Sequence, residues 1–196
     1  MLSQLRPAVS MIAMFTLLMG AALPTGIAGL AGLALPFQAG GSLITKNGKV
    51  IGSAIIGQQF TAPKYFWPRP SALMGTDPKD SSKQVPTPYD ASESGASNLA
   101  PSSKALIDRV TGDVPKYGPG PVPADAVTTS ASGLDPDISP ENAARQIARV
   151  AKARGISADA VRAVVAANTH GRMFGLLGDP RVNVLALNIA LDAAGK

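Results

Sequence analysis

The sequence predicts an α+β fold carried on a membrane-spanning helix, and the order of its residues supplies three reasons. Residues Ala8 to Leu35 run for twenty-eight positions without a charge. Strand and turn signals follow, and a proline-rich middle then gives way to a C-terminal third with helical spacing. Strands first and helices last is the pattern of an α+β domain.

About 20 apolar residues at 1.5 Å each cross the roughly 30 Å hydrocarbon layer of a bilayer. The uncharged stretch is therefore long enough to span once. We place the helix at about residues 8–32, inside an N-terminal segment of residues 1–36, and a single domain over residues 37–196. That remainder is one domain of ordinary size with enough chain for a core.

Arg6 and the amino terminus precede the span, which by the positive-inside rule puts the N-terminus in the cytoplasm and residues 37–196 in the periplasm. Lys46 and Lys49, close on the other side, oppose that vote. A cleaved signal peptide is the rival reading, but no Ala-x-Ala triplet follows the apolar run, only weaker Gly-x-Ala triplets such as Gly29-Leu30-Ala31, and the run exceeds the usual 7–15 residues. A retained anchor is the better reading. Within it, Ala22 and Gly26, and Ala28 and Gly32, form small-xxx-small pairs that let a second helix approach closely in lipid. Pro24 removes a backbone donor and is expected to kink the helix and free a carbonyl.

After the span, Asn47-Gly48 lies in a run of strand-forming residues and predicts a two-residue hairpin turn, since both residues tolerate positive φ. Between Pro63 and Pro123 lie eleven of the seventeen prolines. They fix φ and remove donors, so an ordered but irregular layer is expected, without long regular elements. A short helix is placed at Ser102 to Val110. Tyr65-Phe66-Trp67 reads as core or as a clamp on irregular backbone, and beside a membrane span Tyr65, Phe66, Trp67 and Arg69 are candidates for contact with a partner.

The last third predicts three helices. Ser139-Pro140-Glu141 supplies an N-cap, a first-position proline and a first-turn acid, and Ala144, Ile147, Ala148 and Ala151 supply a stripe ending before Gly155. A second helix is expected from Ser157 to near Gly171, with Val161, Val164 and Val165 inward and His170 at its end, where a cation favours the dipole. Asp179-Pro180 is expected to cap a third, with Val184, Leu187 and Leu191 inward. Arg145, Arg149, Lys152 and Arg154 mark the first of these helices as having a solvated cationic face, or one that meets anionic headgroups or an acidic partner.

Chemistry-bearing residues are sparse. There is no cysteine and one histidine, so thiolate metal sites are impossible and no metal site is expected. The net charge of +5 is spread through mixed signs, with no basic run of the kind that binds nucleic acid. Asp135 and Asp137 sit in a turn leading into a helix rather than in a catalytic pair. Ser94-Gly95-Ala96-Ser97-Asn98 lacks the Lys and following Ser or Thr of a phosphate-binding loop. No catalytic residue is assigned.

Seven blocks in order point further: Tyr65-Phe66-Trp67-Pro68-Arg69-Pro70-Ser71-Ala72, Tyr89-Asp90-Ala91, Ser94 to Leu99, Pro123 to Thr128, Ser132-Gly133-Leu134-Asp135-Pro136, Arg149 to Gly155, and Leu177 to Asn188. Together they resemble the KdpC family, the C subunit of the bacterial potassium-transporting Kdp ATPase, over nearly the whole chain. The resemblance implies an accessory, non-catalytic subunit of an inner-membrane pump. Its A subunit passes potassium, its B subunit hydrolyses ATP, and a small F subunit joins them. The C subunit is needed for assembly and stability, and has been proposed to raise the ATP affinity of the B subunit. No cofactor is expected to bind stably, and ATP would be met only through the complex.

By resemblance, Ser94, Gly95, Ser97, Asn98 and Gln146 are the candidate nucleotide contacts, with Ala96 where a second glycine is usual. That assignment conflicts with topology, because one span with a cytoplasmic Arg6 puts these residues where ATP is scarce. Topology weighs more, and the domain is expected to pack over the outer mouth of the A subunit. The reading from another class is an anchored envelope module that binds a ligand or protein without a pump.

Overall fold

The computed structural model describes residues 2–194, and the chain divides between Ile51 and Gly52 into two units. The first holds helix α1 (Leu2–Leu17), a π turn (Leu18–Ala22), α2 (Leu23–Ala34), a single turn α3 (Pro36–Ala39), and strand β1 (Leu43–Lys46) with most of β2 (Lys49–Ser53). Ser3–Ala34 is continuous, 32 residues long and apolar enough to cross a membrane. Such a helix buries no side chain against its own chain, leaving its surface to lipid or to other helices. Ala22, Gly26, Ala28 and Gly32 are all exposed on it.

The expected interruption at Pro24 takes the form of the π turn just before it, where the Leu23 N–H reaches back five residues to Leu18 O. A proline at position 24 cannot donate to Gly20, and one widened turn accommodates the missing bond. Thr25 Oγ1 donates to Ala21 O at 2.7 Å, which binds a neighbouring carbonyl that lipid would leave dry. β1 and β2 then form the expected hairpin, with Asn47 at φ 53° and Gly48 at φ 75°, the paired positive angles of a type I′ turn.

The second unit contains β3 (Met74–Asp77), β4 (Asp80–Pro86), α4 (Lys104–Asp113) and a 3₁₀ turn (Val114–Tyr117). It continues with α5 (Ala124–Val127), β5 (Asp137–Ile138), α6 (Pro140–Arg154), α7 (Ala158–Ala167), β6 (Thr169–His170), β7 (Arg181–Asn183) and α8 (Val184–Ala194). β5, β7 and β6 make an antiparallel sheet in that order, Ile138 and Thr169 both lying opposite Val182. One face of this small sheet meets α6, α7 and α8 around a core of Phe66, Ile138, Ile147, Val150, Val161, Val182, Leu187 and Leu191.

The proline-rich middle holds no long regular element, as expected, but beside α4 it carries one short hairpin, β3–β4, and three other expectations are corrected. Pro78 occupies its turn, where no ladder donor is needed, and Asp77 Oδ1 accepts from the Lys79 N–H at 2.8 Å. Prolines here punctuate strands without abolishing them.

The buried stripe of α6 is Ala143, Ile147, Val150 and Ala151, while Ala144 and Ala148 are exposed. Two stripes share Ile147 and Ala151, and burying a valine outweighs burying an alanine methyl.

The second correction concerns α7, which stops at Ala167. His170 lies exposed in β6 opposite Arg181, so it caps nothing. The third is that α8 starts at Val184, capped by Asn183 Oδ1 accepting from the Ala186 N–H at 3.0 Å. Arg181–Asn183 is drawn into the sheet ahead of it, and Asp179 sits in the preceding turn.

Phe66, fully buried, belongs to no regular element, yet its backbone is satisfied. Asn188 Oδ1 accepts from the Phe66 N–H at 2.8 Å, and Asn188 Nδ2 donates to Phe66 O at 3.0 Å, so one side-chain amide does the work of a strand neighbour. Asn188→Ala strips both partners at once, and each buried orphan costs about 1–3 kcal/mol. We expect urea unfolding of the full chain in detergent to show a loss of about 3 kcal/mol.

Candidate functional site

The segment around Tyr65–Pro70 has few donors of its own kind to pair with, because Pro63, Pro68 and Pro70 have none. Several of the carbonyls in and beside it are taken by α6. Arg149 donates to Pro63 O at 2.6 Å and Tyr65 O at 3.0 Å, and its guanidinium stacks 3.7 Å above the Trp67 ring centroid. Gln146 Oε1 accepts from the Trp67 N–H at 2.8 Å, and Gln146 Nε2 donates to Trp67 O at 3.1 Å. A second side-chain amide thus bridges backbone one residue on from the Asn188 bridge.

Arg154 extends the row, donating to Lys64 O at 2.7 Å and pairing with Asp192 at 2.9 Å, while the Tyr65 hydroxyl donates to the other oxygen of Asp192 at 3.2 Å. Arg145 donates to Pro121 O and Tyr117 O. Three of the four cations read as a solvated face are therefore spent on loop carbonyls, and only Lys152 among them is exposed. The reason is geometric: a guanidinium carries five donors in a planar fork, which suits several carbonyls on irregular backbone. Partial burial pushes Arg149 below the usual arginine range.

A second clamp lies beyond Trp67. Arg69 pairs with Asp135 at 2.8 Å, and the Tyr89 hydroxyl donates to Arg69 O at 2.8 Å. Gly57 passes so close that an added Cβ would stand 2.5 Å from the Tyr89 ring and 2.6 Å from Asp135 O, which only glycine allows. Burial raises Tyr89, with the Asp135 charge adding to it, so this hydroxyl stays a donor. Asp137 is bound to Asn183 and Arg181 and is pushed up chiefly by burial, and Asp135 Oδ1 accepts from its N–H. Both carboxylates hold structure together, as the turn reading expects.

The candidate nucleotide residues fall in two places. Ser94 Oγ and the Gly95 N–H both donate to Ser132 O, and Ser97 accepts from Thr129, so the stretch lies zipped against Thr129–Gly133 with Asn98 at φ 52°. Gln146 instead lines a cleft of about 570 Å³ with Trp67, Tyr117, Asn142, Arg145 and Arg149. None of Ser94–Asn98 is among its walls. Of the four candidates for contact with a partner, Phe66 is wholly in the core, Tyr65 and Arg69 are bonded within the chain, and Trp67 keeps 39% of its surface exposed.

Sequence reasoning missed Asn188 and Asp192, which anchor this layer. Their signal was a polar residue on the inward side of an otherwise apolar helix, beside Leu187 and Leu191. Among the described residues no three His, Asp or Glu side chains come together as a metal site.

What fold and site define is an α+β domain following a helix fit to cross a membrane, with its polar side chains committed to holding an irregular layer in shape. The chain belongs to the KdpC family: the family described as K+-transporting ATPase, c chain, matches residues 5–193. It is 57% identical to the potassium-transporting ATPase KdpC subunit of Bradyrhizobium diazoefficiens, covering 99% of this chain and 98% of that one. To the KdpC subunits of Rhodopseudomonas palustris (strain BisB18) and Methylobacterium nodulans it is 58% and 54% identical, over 99% and 100% of this chain and the whole of each relative.

Arg149→Lys keeps the charge but loses the fork and the flat stacking surface. We expect it to lower stability by about 1–2 kcal/mol and to quench or shift Trp67 fluorescence in the folded full chain, whereas Lys152→Ala should change stability by no more than about 0.5 kcal/mol and leave the emission as it is.

Proposed function

We propose that the chain is an accessory, non-catalytic subunit of an ATP-driven potassium uptake pump, needed for assembly and stability of the complex. In this reading catalysis lies in a partner B subunit, potassium passes through a partner A subunit, and a small F subunit completes the assembly. The observation that carries it beyond the family match is the state of Gln146. Its amide is engaged with Trp67 backbone on both sides, Arg149 donates to the same oxygen, and Nε2 also reaches Asn142. A side chain so committed suits a rigid body that packs on partners, and does not suit an open contact to nucleotide. Any effect on the ATP affinity of the B subunit then passes through the assembled complex.

The membrane helix supports the same reading. Arg6 precedes it, which favours a cytoplasmic N-terminus and a domain on the outer side of the bacterial inner membrane. Ala22, Gly26, Ala28 and Gly32 leave shallow ground on which partner helices can pack.

Gln146→Ala discriminates between the two roles. We expect it to lower stability of the full chain by about 2 kcal/mol through the freed Trp67 N–H and carbonyl, while the KM for ATP of whatever pump assembles stays within about twofold. A rise of about tenfold in that KM with unchanged stability would favour nucleotide contact instead.

Topology has its own test, because the chain has no cysteine. Ala163→Cys places a thiol on the exposed side of α7. We expect a membrane-impermeant maleimide to label it in cells whose outer membrane alone has been made permeable. Labelling only after the inner membrane is opened would reverse the orientation.

A further inference from the structure

Between β6 and β7 the chain turns back on itself over residues 171–180, and the turn is closed by its own bonds. The Met173 N–H donates to Leu177 O at 2.9 Å, the Leu177 N–H returns to Met173 O at 3.0 Å, and Arg172 pairs with Asp179 at 3.1 Å across the base. Phe174 holds φ 54°, a left-handed angle uncommon for a bulky residue. The apex is therefore a defined shape, and that shape turns its apolar side chains outward. Met173, Phe174, Leu176 and Leu177 are 56%, 87%, 80% and 62% exposed. Among the described residues, Phe174 and Leu176 are the two most exposed large apolar side chains outside the membrane-spanning helix. Side chains of this kind are ordinarily buried, and four together at one tip mark an interaction site.

We infer that this apex is a preformed plug that seats in an apolar recess of a partner polypeptide of the pump. The inference rests on the assembly reading above and names the element that does the docking. Its chemistry selects protein over lipid. Elements that enter an anionic bilayer surface pair inserted Phe, Leu or Trp with Lys or Arg left free for the headgroups. Residues 171–180 contain no Lys. The cations at the base are closed in pairs, Arg172 with Asp179 and Arg181 with Asp137 at 3.1 Å. An uncharged centre of Phe, Met and Leu ringed by internally neutralised charge is the composition of a protein interface core and its rim. The closed backbone removes most of the ordering cost that a flexible loop would meet on docking.

The test uses the full-length chain produced together with its pump partners. Phe174→Asn combined with Leu176→Ser removes the apolar tip, and asparagine tolerates the positive φ. Pump subunits recovered with the chain in mild detergent, identified by mass, should fall by about tenfold or more while the chain's own unfolding midpoint is unchanged. Undiminished recovery overturns the plug and leaves the assembly reading standing, whereas a wild-type chain that brings down no pump subunit overturns both. Should the variant weaken the fold, a photoreactive benzoylphenylalanine at position 174 decides. An adduct with a pump subunit supports the plug, and an adduct with lipid alone, or none, overturns it.

Discussion

The second unit depends on how the backbone at Phe66 is held. Phe66 is a ring in the centre of the core on a piece of chain that is neither helix nor strand. Burying that ring is worth about 1.5–3 kcal/mol, but carrying unpaired backbone N–H and C=O groups inward with it would cost as much or more. Asn188, from the far end of the chain, removes the cost by bonding both groups, and Gln146 repeats the device at Trp67 from α6. The two helices are thereby joined through a loop, not only through their apolar faces. The position of α6 relative to α8 follows from where the loop runs.

What could be read from the sequence and what could not divide along physical lines. The Asn47-Gly48 hairpin, the Ser139 cap and the membrane-length helix are local, set by φ preference, one side-chain bond and composition; the hairpin and the cap stand where they were expected, and the helix is present over Ser3–Ala34 rather than about residues 8–32. The β5-β7-β6 sheet could not be read in this way, because strands of two or three residues have no period to detect and exist only when distant segments meet. The same holds for the clamp. Arg149 and Gln146 sit on a helix whose pattern says only that they face away from the core, and nothing local says that a proline-rich segment some eighty residues earlier covers that face. Asn188 was visible as a polar residue within an apolar helix, a placement that makes sense only once a backbone partner is known.

That covering segment also changes how the charge of the chain should be read. A net charge of +5 with several arginines on one helix invites a search for an anionic partner. Arg145, Arg149 and Arg154 instead face backbone carbonyls of the residues around Pro63 and Pro121. The cause lies in the prolines. Each one removes a backbone donor while keeping its carbonyl, so a segment rich in proline carries a surplus of acceptors that no strand pairing can meet. Arginine supplies donors without acceptors of its own, and long side chains deliver them across irregular distances that a regular ladder cannot span. Proline content in one third of the chain and arginine content in another are two halves of one hydrogen-bond account. The positive balance left over is then largely structural, so the outward face is better judged by its exposed apolar side chains than by its sum of charges.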